Sequence, residues 1–373
     1  FSAMTCCCWP ENHQITQPRS EIMLLSILVK PTFIYKYIEQ VGESSRSGTC
    51  ASVAQRVPDV VPTTLVRKPQ LCVQSMHTGT PFLPIFPASP PFQDIQGNVS
   101  ASGSVFVDED FTATTSSLYT GIRRPDYLPQ GITWLRPSEL VSVPSLVTAG
   151  RTRFDINQGC LGDCWFLAAV TTLTSKPEVM DIVIPPGQVL DRHSEGYSGA
   201  VRFQFFVRGE WKEMVVDDRL PTLNQKLIFL SSDDPNEFWP ALLEKAFAKL
   251  HGSYHSLNGG TFAEASAYFG AITENFNIRG PVMEGLDPVY VKARLLEAGA
   301  RGSLCGAAIY ALGGQRFMED QLKLGLPAGH AYSLTHFYQD KVNKAKYHLI
   351  FSAPAQLSTK LLYSTLCRDC KRK

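Results

Sequence analysis

Two stretches of this chain carry apolar residues at helical spacing, and the segments around them alternate in the manner of strands. Residues 165–173 (Trp165 to Leu173) are apolar on nearly every side of a helical wheel, which predicts a buried helix. Residues 201–207 and 211–216 are rich in β-branched and aromatic side chains. Arg208-Gly209-Glu210 joins them as a hairpin, and Asp217-Asp218-Arg219-Leu220-Pro221 ends it. Residues 227–230 read as another short strand. Phe238, Trp239, Leu242, Leu243, Ala246, Phe247 and Leu250 then fall on one face of a second helix. Asp233, Asp234 and Asn236 offer it cap chemistry, and Pro240 is early enough to be tolerated. Its aromatic stripe reads as core packing. Gly252-Ser253 and Gly259-Gly260 read as a flexible junction. Beyond it, residues 262–271 and 289–298 predict helices, and 304–312, 331–338 and 347–351 predict strands. A helix-rich part followed by a strand-rich part is an α+β arrangement.

The flanks carry weaker signals. Residues 1–95 scatter Pro and Ser, and Pro81 to Pro91 fits neither a helix nor a central strand. That segment reads as largely disordered, with one short amphipathic element within residues 21–40. The organisation expected is thus an N-terminal segment over 1–95, a helix-rich part over 96–258, a strand-rich part over 259–340 and a tail over 341–373. Nothing repeats at a fixed period.

The chain has 373 residues, 44% of them hydrophobic and 18% charged, so a sizeable core can be buried. A formal net charge of +1 gives no reason to propose nucleic acid or an anionic membrane as partner. No apolar run approaches the ~20 residues of a membrane span. The run Met23 to Val29 is short and follows Glu21, unlike the basic start of a signal peptide. Because the chain opens at Phe1, a missing start would hide any targeting signal. Ten cysteines without regular spacing do not form a disulfide scaffold, and Cys367-Arg368-Asp369-Cys370 lacks the second pair a zinc site needs. A reducing cytoplasmic setting suits this pattern.

Chemistry concentrates at Gln158-Gly159-Cys160-Leu161-Gly162-Asp163-Cys164-Trp165. A glycine-rich turn leads to Asp163, placed as a helix N-cap, and Cys164 falls in the first helical turn. There the helix dipole and unpaired N–H groups favour an anion, and a thiolate is the nucleophilic form. The amide of Gln158 could reach the same reacting carbonyl, so Gln158 and the Cys164 N–H form a candidate oxyanion hole. A lone cysteine in such a helix would more often be a structural core thiol.

The eight positions from Gln158 to Trp165 match the pattern Gln-Gly-x-x-Gly-Asp-Cys-Trp and so resemble the nucleophile motif of the calpain family of cysteine proteases. Phe106 to Phe111, Ile132 to Pro137 and Glu237 to Leu250 resemble further segments of the calpain protease core. The resemblance extends from about Val105 to about Ser333. It implies a two-lobed, papain-like α+β core and calcium-dependent cysteine endopeptidase activity, with limited proteolysis of protein substrates in the cytoplasm. A cysteine nucleophile needs a base. Of eight histidines only His330, in Gly329-His330-Ala331-Tyr332-Ser333, stands in a matching setting, 166 positions after Cys164. His336 and His348 read as exposed strand or tail residues. The family's orienting asparagine, in an Asn-Pro-Trp motif after the histidine, has no counterpart. No asparagine follows Asn343, which lies too early among lysines. The tail after about Asp340 departs from the pattern and resembles an alternative or mis-spliced end. Loss of an orienter costs up to ~10⁴ in rate in a triad enzyme, and less for a neutral group. The expectation is therefore a protease impaired as it stands.

The same resemblance implies a first-lobe calcium site formed by the carbonyls of Thr148 and Gly150 and the carboxylates of Asp155 and Glu237, oxygen ligands suited to Ca²⁺. Arg153 matches an arginine that links the lobes, whereas its acidic partner and the second-lobe calcium site are missing. Two rivals stand beside the protease. One is a catalytically silent calpain-like binding or regulatory protein. The other is a transglutaminase-like acyltransferase, disfavoured by the cysteine motif.

Overall fold

The two apolar stretches fold as helices that pack ring against ring. A computed structural model describes residues 21–29, 90–148, 156–279, 288–311, 330–339, 346–352 and 362–367. The helix expected to carry the nucleophile, called the nucleophile helix for that expectation, spans Cys164–Leu173 and is buried from Trp165 onward. The central helix spans Trp239–Leu250, and Phe166 stacks on Phe247 with ring centroids 4.4 Å apart.

The central helix departs from its one-faced pattern, because all 12 of its residues are buried. Strands cover one flank, while the nucleophile helix and a 3₁₀ turn, Tyr254–Leu257, cover the others. Its charged residues must therefore be paired inside. Lys245 Nζ donates to Asp217 Oδ1 at 2.6 Å and to the Arg219 carbonyl at 2.6 Å. Lys249 Nζ donates to both oxygens of Asp108, at 2.9 and 2.7 Å. The cap expected from Asp233, Asp234 and Asn236 is not made: Phe238 holds the N-cap position with no side-chain bond. Asp233 instead accepts from Asn157 Nδ2, and Asp234 accepts from Thr148 Oγ1 and the Asn236 N–H. Those acids tie loops together instead of capping.

Strand β1 spans Glu21–Val29 and β2 spans Thr133–Leu135. The expected hairpin forms from β3, Ala200–Val207, and β4, Glu210–Asp217, in antiparallel register with Val207 opposite Glu210. The turn is only two residues long. Arg208 and Gly209 both adopt positive φ, 55° and 86°, which matches the twist of the flanking strands. The helix Phe92–Ser102 was not anticipated; it buries Phe92 and Ile95 against Ala200 and Val215 of this hairpin.

Strand β5, Leu220–Leu223, pairs with β2 and with β6, Lys226–Leu227. The strand expected over 227–230 stops at Leu227. The next residues leave the sheet to bond elsewhere: the Ile228 carbonyl accepts the Cys160 N–H, and the Leu230 N–H donates to Glu244.

Six antiparallel strands build the second half, in the order β11-β10-β9-β8-β1-β7. They are β7 (Ile272–Arg279), β8 (Leu304–Ala311), β9 (His330–Gln339), β10 (Lys346–Ser352) and β11 (Leu362–Cys367), joined by β1. The element expected within residues 21–40 is thus β1. It lies between β7 and β8 and pairs with both. The helix expected over 262–271 ends early, at Phe262–Ala267, because Gly270 turns the chain with φ 74° toward β7. A further helix spans Pro288–Ala300. The architecture is α+β, with helices gathered around the nucleophile and strands gathered after it. Among the described residues, no helix is long and apolar enough to cross a membrane.

The glycine-rich junction is fastened, contrary to its flexible reading. Tyr254 and Leu257 are buried, and the Leu257 carbonyl accepts from Trp165 Nε1 at 2.8 Å. Asn258 Oδ1 accepts the Gly162 N–H, and the Gly259 N–H returns to the Gly162 carbonyl. Gly260 lies flat on the Trp165 indole, where a Cβ would come within 2.5 Å of the ring.

Candidate active site

Cys164 is the first residue of the nucleophile helix and is half-buried. The loop before it is held from both sides, by Ile228 at Cys160 and by Asn258 and Gly259 at Gly162. Gly159 is required there, since a Cβ would come within 2.3 Å of the Ile228 carbonyl. The Asp163 carbonyl accepts the N–H groups of Phe166 and Leu167, so Asp163 caps the helix by position. Its side chain does not cap. The carboxyl turns inward, fully buried, toward Gln158 and Glu244. Burial above all pushes it up to about 7, against hydrogen bonds from Glu244, its own backbone and Gln158. Glu244, fully buried too, is pushed well above the usual carboxyl range by desolvation and by Asp163.

Gln158 is held within the loop that leads to Cys164. Its Nε2 donates to the Leu161 carbonyl at 2.8 Å and to Asp163 Oδ1 at 3.4 Å. The amide is thus held within the loop that ends at Cys164.

His330 opens β9 and is buried. The nucleophile helix packs on β8 and β9, and Thr172 bonds Ser333 across that contact at 2.8 Å. From this contact Cys164 lies about 12 Å along the helix, at ~1.5 Å per residue. His330 lies about 10 Å along the strand, at ~3.3 Å per residue. The fold therefore brings the two elements together. Strand alternation places Ala331 and Ser333 toward the helix, and His330 on the other face with Tyr332, whose ring is 5.0 Å away.

Of the residues the resemblance assigns to a calcium site, Thr148 and Glu237 meet. Glu237 is buried. Its Oε1 accepts the Thr148 N–H at 2.9 Å, and its Oε2 accepts Ser232 Oγ at 2.8 Å. Thr148 Oγ1 donates to Asp234 at 2.8 Å. Gly150, Arg153 and Asp155 lie outside the described residues, as do Asn343 and Cys370. Among the described residues, no three His, Cys, Asp or Glu side chains cluster to hold a metal. The donors at Glu237, Asp234 and Thr148 are all oxygens, which fits a hard cation.

Cys160 and Cys305 are free thiols. Desolvation, then the acids Glu244 and Asp163, push Cys160 up to about 11. Glu244 is the residue that sequence reading passed over. The available signal was an acid at a position that the nearly all-apolar surroundings of the central helix would bury.

A cysteine at the head of a buried helix, with a histidine on the sheet that the helix packs against, is the framework of a cysteine protease core. The chain belongs to the calpain family: the family model described as "Calpain family cysteine protease" matches residues 106–352. The match runs through β10, beyond the motif-level resemblance that stops near Ser333. Calpain clp-4 of Caenorhabditis elegans is 45% identical over 233 residues, covering 62% of this chain and 31% of that protein. Calpain-B of Drosophila melanogaster is 42% identical over 245 residues, 65% of this chain and 25% of that protein. Calpain-9 of Rattus norvegicus is 44% identical over 255 residues, 68% of this chain and 34% of that protein. The chain thus spans about a quarter to a third of these relatives.

Proposed function

We propose that this chain is a calcium-dependent cysteine endopeptidase of the cytoplasm, cutting exposed segments of protein substrates, with activity reduced by the missing asparagine. The observation that carries the reading is Cys164 at the start of a buried helix that packs on the strand opened by His330. Sγ of Cys164, as thiolate, attacks the scissile carbonyl carbon, with the helix dipole favouring the anion. The Cys164 N–H donates to the resulting oxyanion, joined by Gln158 Nε2 once its N–H leaves the Leu161 carbonyl. Collapse breaks the C–N bond, and His330 passes the proton it took from the thiol to the leaving amine. Water, deprotonated by the same imidazole, then hydrolyses the thioester.

Glu237 and the Thr148 carbonyl, with Gly150 and Asp155, are the residues that would hold Ca²⁺, which would supply positive charge between the 148–155 loop and the start of the central helix. A first lobe over 96–258 and an incomplete second lobe over 259–340 fit this division of labour.

The rival is a catalytically silent calpain-like binding or regulatory protein. Two observations favour it: His330 shares a face with Tyr332 and not with Ser333, and no asparagine follows Asn343. A peptidyl fluoromethyl ketone separates the two. The protease reading expects labelling of Cys164 that rises with calcium, together with casein cleavage slower than that of an intact calpain core and abolished in Cys164→Ser. No labelling with or without calcium would overturn it in favour of the silent form.

A further inference from the structure

Beneath the nucleophile loop lies a pair of acids that the catalytic reading leaves unused. Asp163 and Glu244 are both 0% exposed and come from different helices. The two carboxyls are in direct electrostatic contact with each other. Asp163 Oδ1 takes the Gln158 amide, and Glu244 Oε2 takes the Leu230 N–H at 2.8 Å. That leaves one oxygen on each, Asp163 Oδ2 and Glu244 Oε1, with no other protein partner. Two carboxylates in contact and out of water do not both ionise. One proton between the two remaining oxygens satisfies both, as buried polar atoms require.

The titratable groups facing the pair do not offer a counter-charge. Cys160 and Tyr127 face it from the loops above, and Tyr254 faces it from the 3₁₀ turn. Lys245, next in sequence, is turned to Asp217 and Arg219.

We propose that Asp163 and Glu244 are positioning residues that share one proton at neutral pH, and that this bridge anchors one N–H of the Gln158 amide so that the other, now on the Leu161 carbonyl, can turn to the oxyanion of the Cys164 adduct. The role given to Gln158 rests on the protease reading; the shared proton does not. The chain of contacts runs Leu230 to Glu244 to Asp163 to Gln158, so the central helix sets the oxyanion donor through two acids.

The sign of the pH effect follows. Both acids are raised above their unfolded values, so their stabilising contribution is complete below about pH 4. It is lost as pH rises through about 7 for Asp163, and Glu244, raised by burial and by Asp163, acts in the same direction. Glu244→Gln keeps a permanent donor to Asp163 without a titrating proton. Glu244→Ala removes the donor.

The experiment has two arms. Thermal unfolding between pH 5 and 9 is expected to show the wild-type melting temperature falling with pH, Glu244→Gln flattening that fall, and Glu244→Ala lowering the curve throughout. In the second arm, the rate of Cys164 modification is read by peptide mapping. A peptidyl chloromethyl ketone passes through a tetrahedral adduct and uses the oxyanion donors, whereas iodoacetamide does not. Glu244→Ala is expected to slow the ketone about 10- to 100-fold more than iodoacetamide, within the worth of one oxyanion donor, and Glu244→Gln is expected to restore the ratio. A Glu244→Gln slope equal to wild type, or equal slowing of both reagents in Glu244→Ala, would overturn the proposal. A wild-type Cys164 that reacts with iodoacetamide but ignores the ketone would overturn the protease reading and the role of Gln158. The unfolding arm would still decide the shared proton.

Discussion

Thr172 on the nucleophile helix and Ser333 on β9 hydrogen-bond at 2.8 Å, and both side chains are buried. Thr172 also donates to the Ala168 carbonyl one turn back. This bond is the polar tie between the helix that begins with Cys164 and the strand that begins with His330. Thr172→Val leaves the Ser333 hydroxyl buried without this partner and is expected to cost about 1–3 kcal/mol. In the double variant with Ser333→Ala the loss should be smaller than the sum of the two single losses. Urea unfolding of the four proteins in the cycle checks this, and strict additivity would show that the two hydroxyls act independently.

The ion pair of Lys249 and Asp108, with side chains 2% and 1% exposed, joins the central helix to the segment before β2. Removing one member strands the other charge. Lys249→Met is expected to cost about 3–5 kcal/mol, and the double change with Asp108→Asn to recover part of that. Denaturant midpoints measured at one pH are the check.

Acid should act through Asp217. Burial alone would raise this carboxyl, but Lys245 and Arg219, with the Asp108 N–H, bring it down to about 2. A depressed acid stabilises the fold above its unfolded value, near pH 4, and the contribution is lost as pH falls toward 2. Lys245→Met is expected to flatten the stability profile over that interval. Unfolding curves taken between pH 5 and 2 would show it, and an unchanged slope would remove Asp217 from the account of acid sensitivity.

Cys160 should be a slow thiol despite its exposed position. With its thiol pushed up to about 11, its thiolate fraction at neutral pH is about 100-fold below that of an ordinary cysteine. Iodoacetamide followed by peptide mapping should modify it correspondingly slowly. Modification at the rate of free cysteine would contradict the desolvation argued for this loop.

Strand β1 has neighbours on both sides, so a proline there breaks ladder bonds to β7 and β8. Leu25→Pro is expected to strip amide-exchange protection from Ile272–Arg279 and Leu304–Ala311. Protection in the central helix should hold longer, since that helix is packed by other elements. Equal protection in both proteins would mean that β7 and β8 are stable without β1.

Local signals carried much of this structure. The nucleophile helix, the hairpin around Arg208-Gly209 and the strands β8, β9 and β10 are legible because apolar periodicity and turn residues are properties of a few consecutive positions. The misread parts depend on partners far away in sequence. Asp163 stands where a capping aspartate would stand, but Glu244, 81 positions later, draws its carboxyl inward. The central helix shows one apolar face, yet its polar face is buried because Asp108 and Asp217 arrive from other segments to meet Lys249 and Lys245. The glycines at 259 and 260 suggest freedom, whereas contact with Gly162 and Trp165 removes it.

By itself the sequence determined the family to which the chain belongs and named Cys164 and His330 as its candidate nucleophile and base. Those rest on short, contiguous runs around Cys164 and His330, in which the identity and order of residues are the signal. Tertiary structure alone decided which face of β9 His330 occupies, where β1 inserts, and that Asp163 meets Glu244 out of water. These are relations between distant segments, set by packing and by the need to satisfy buried polar groups. No local pattern encodes them.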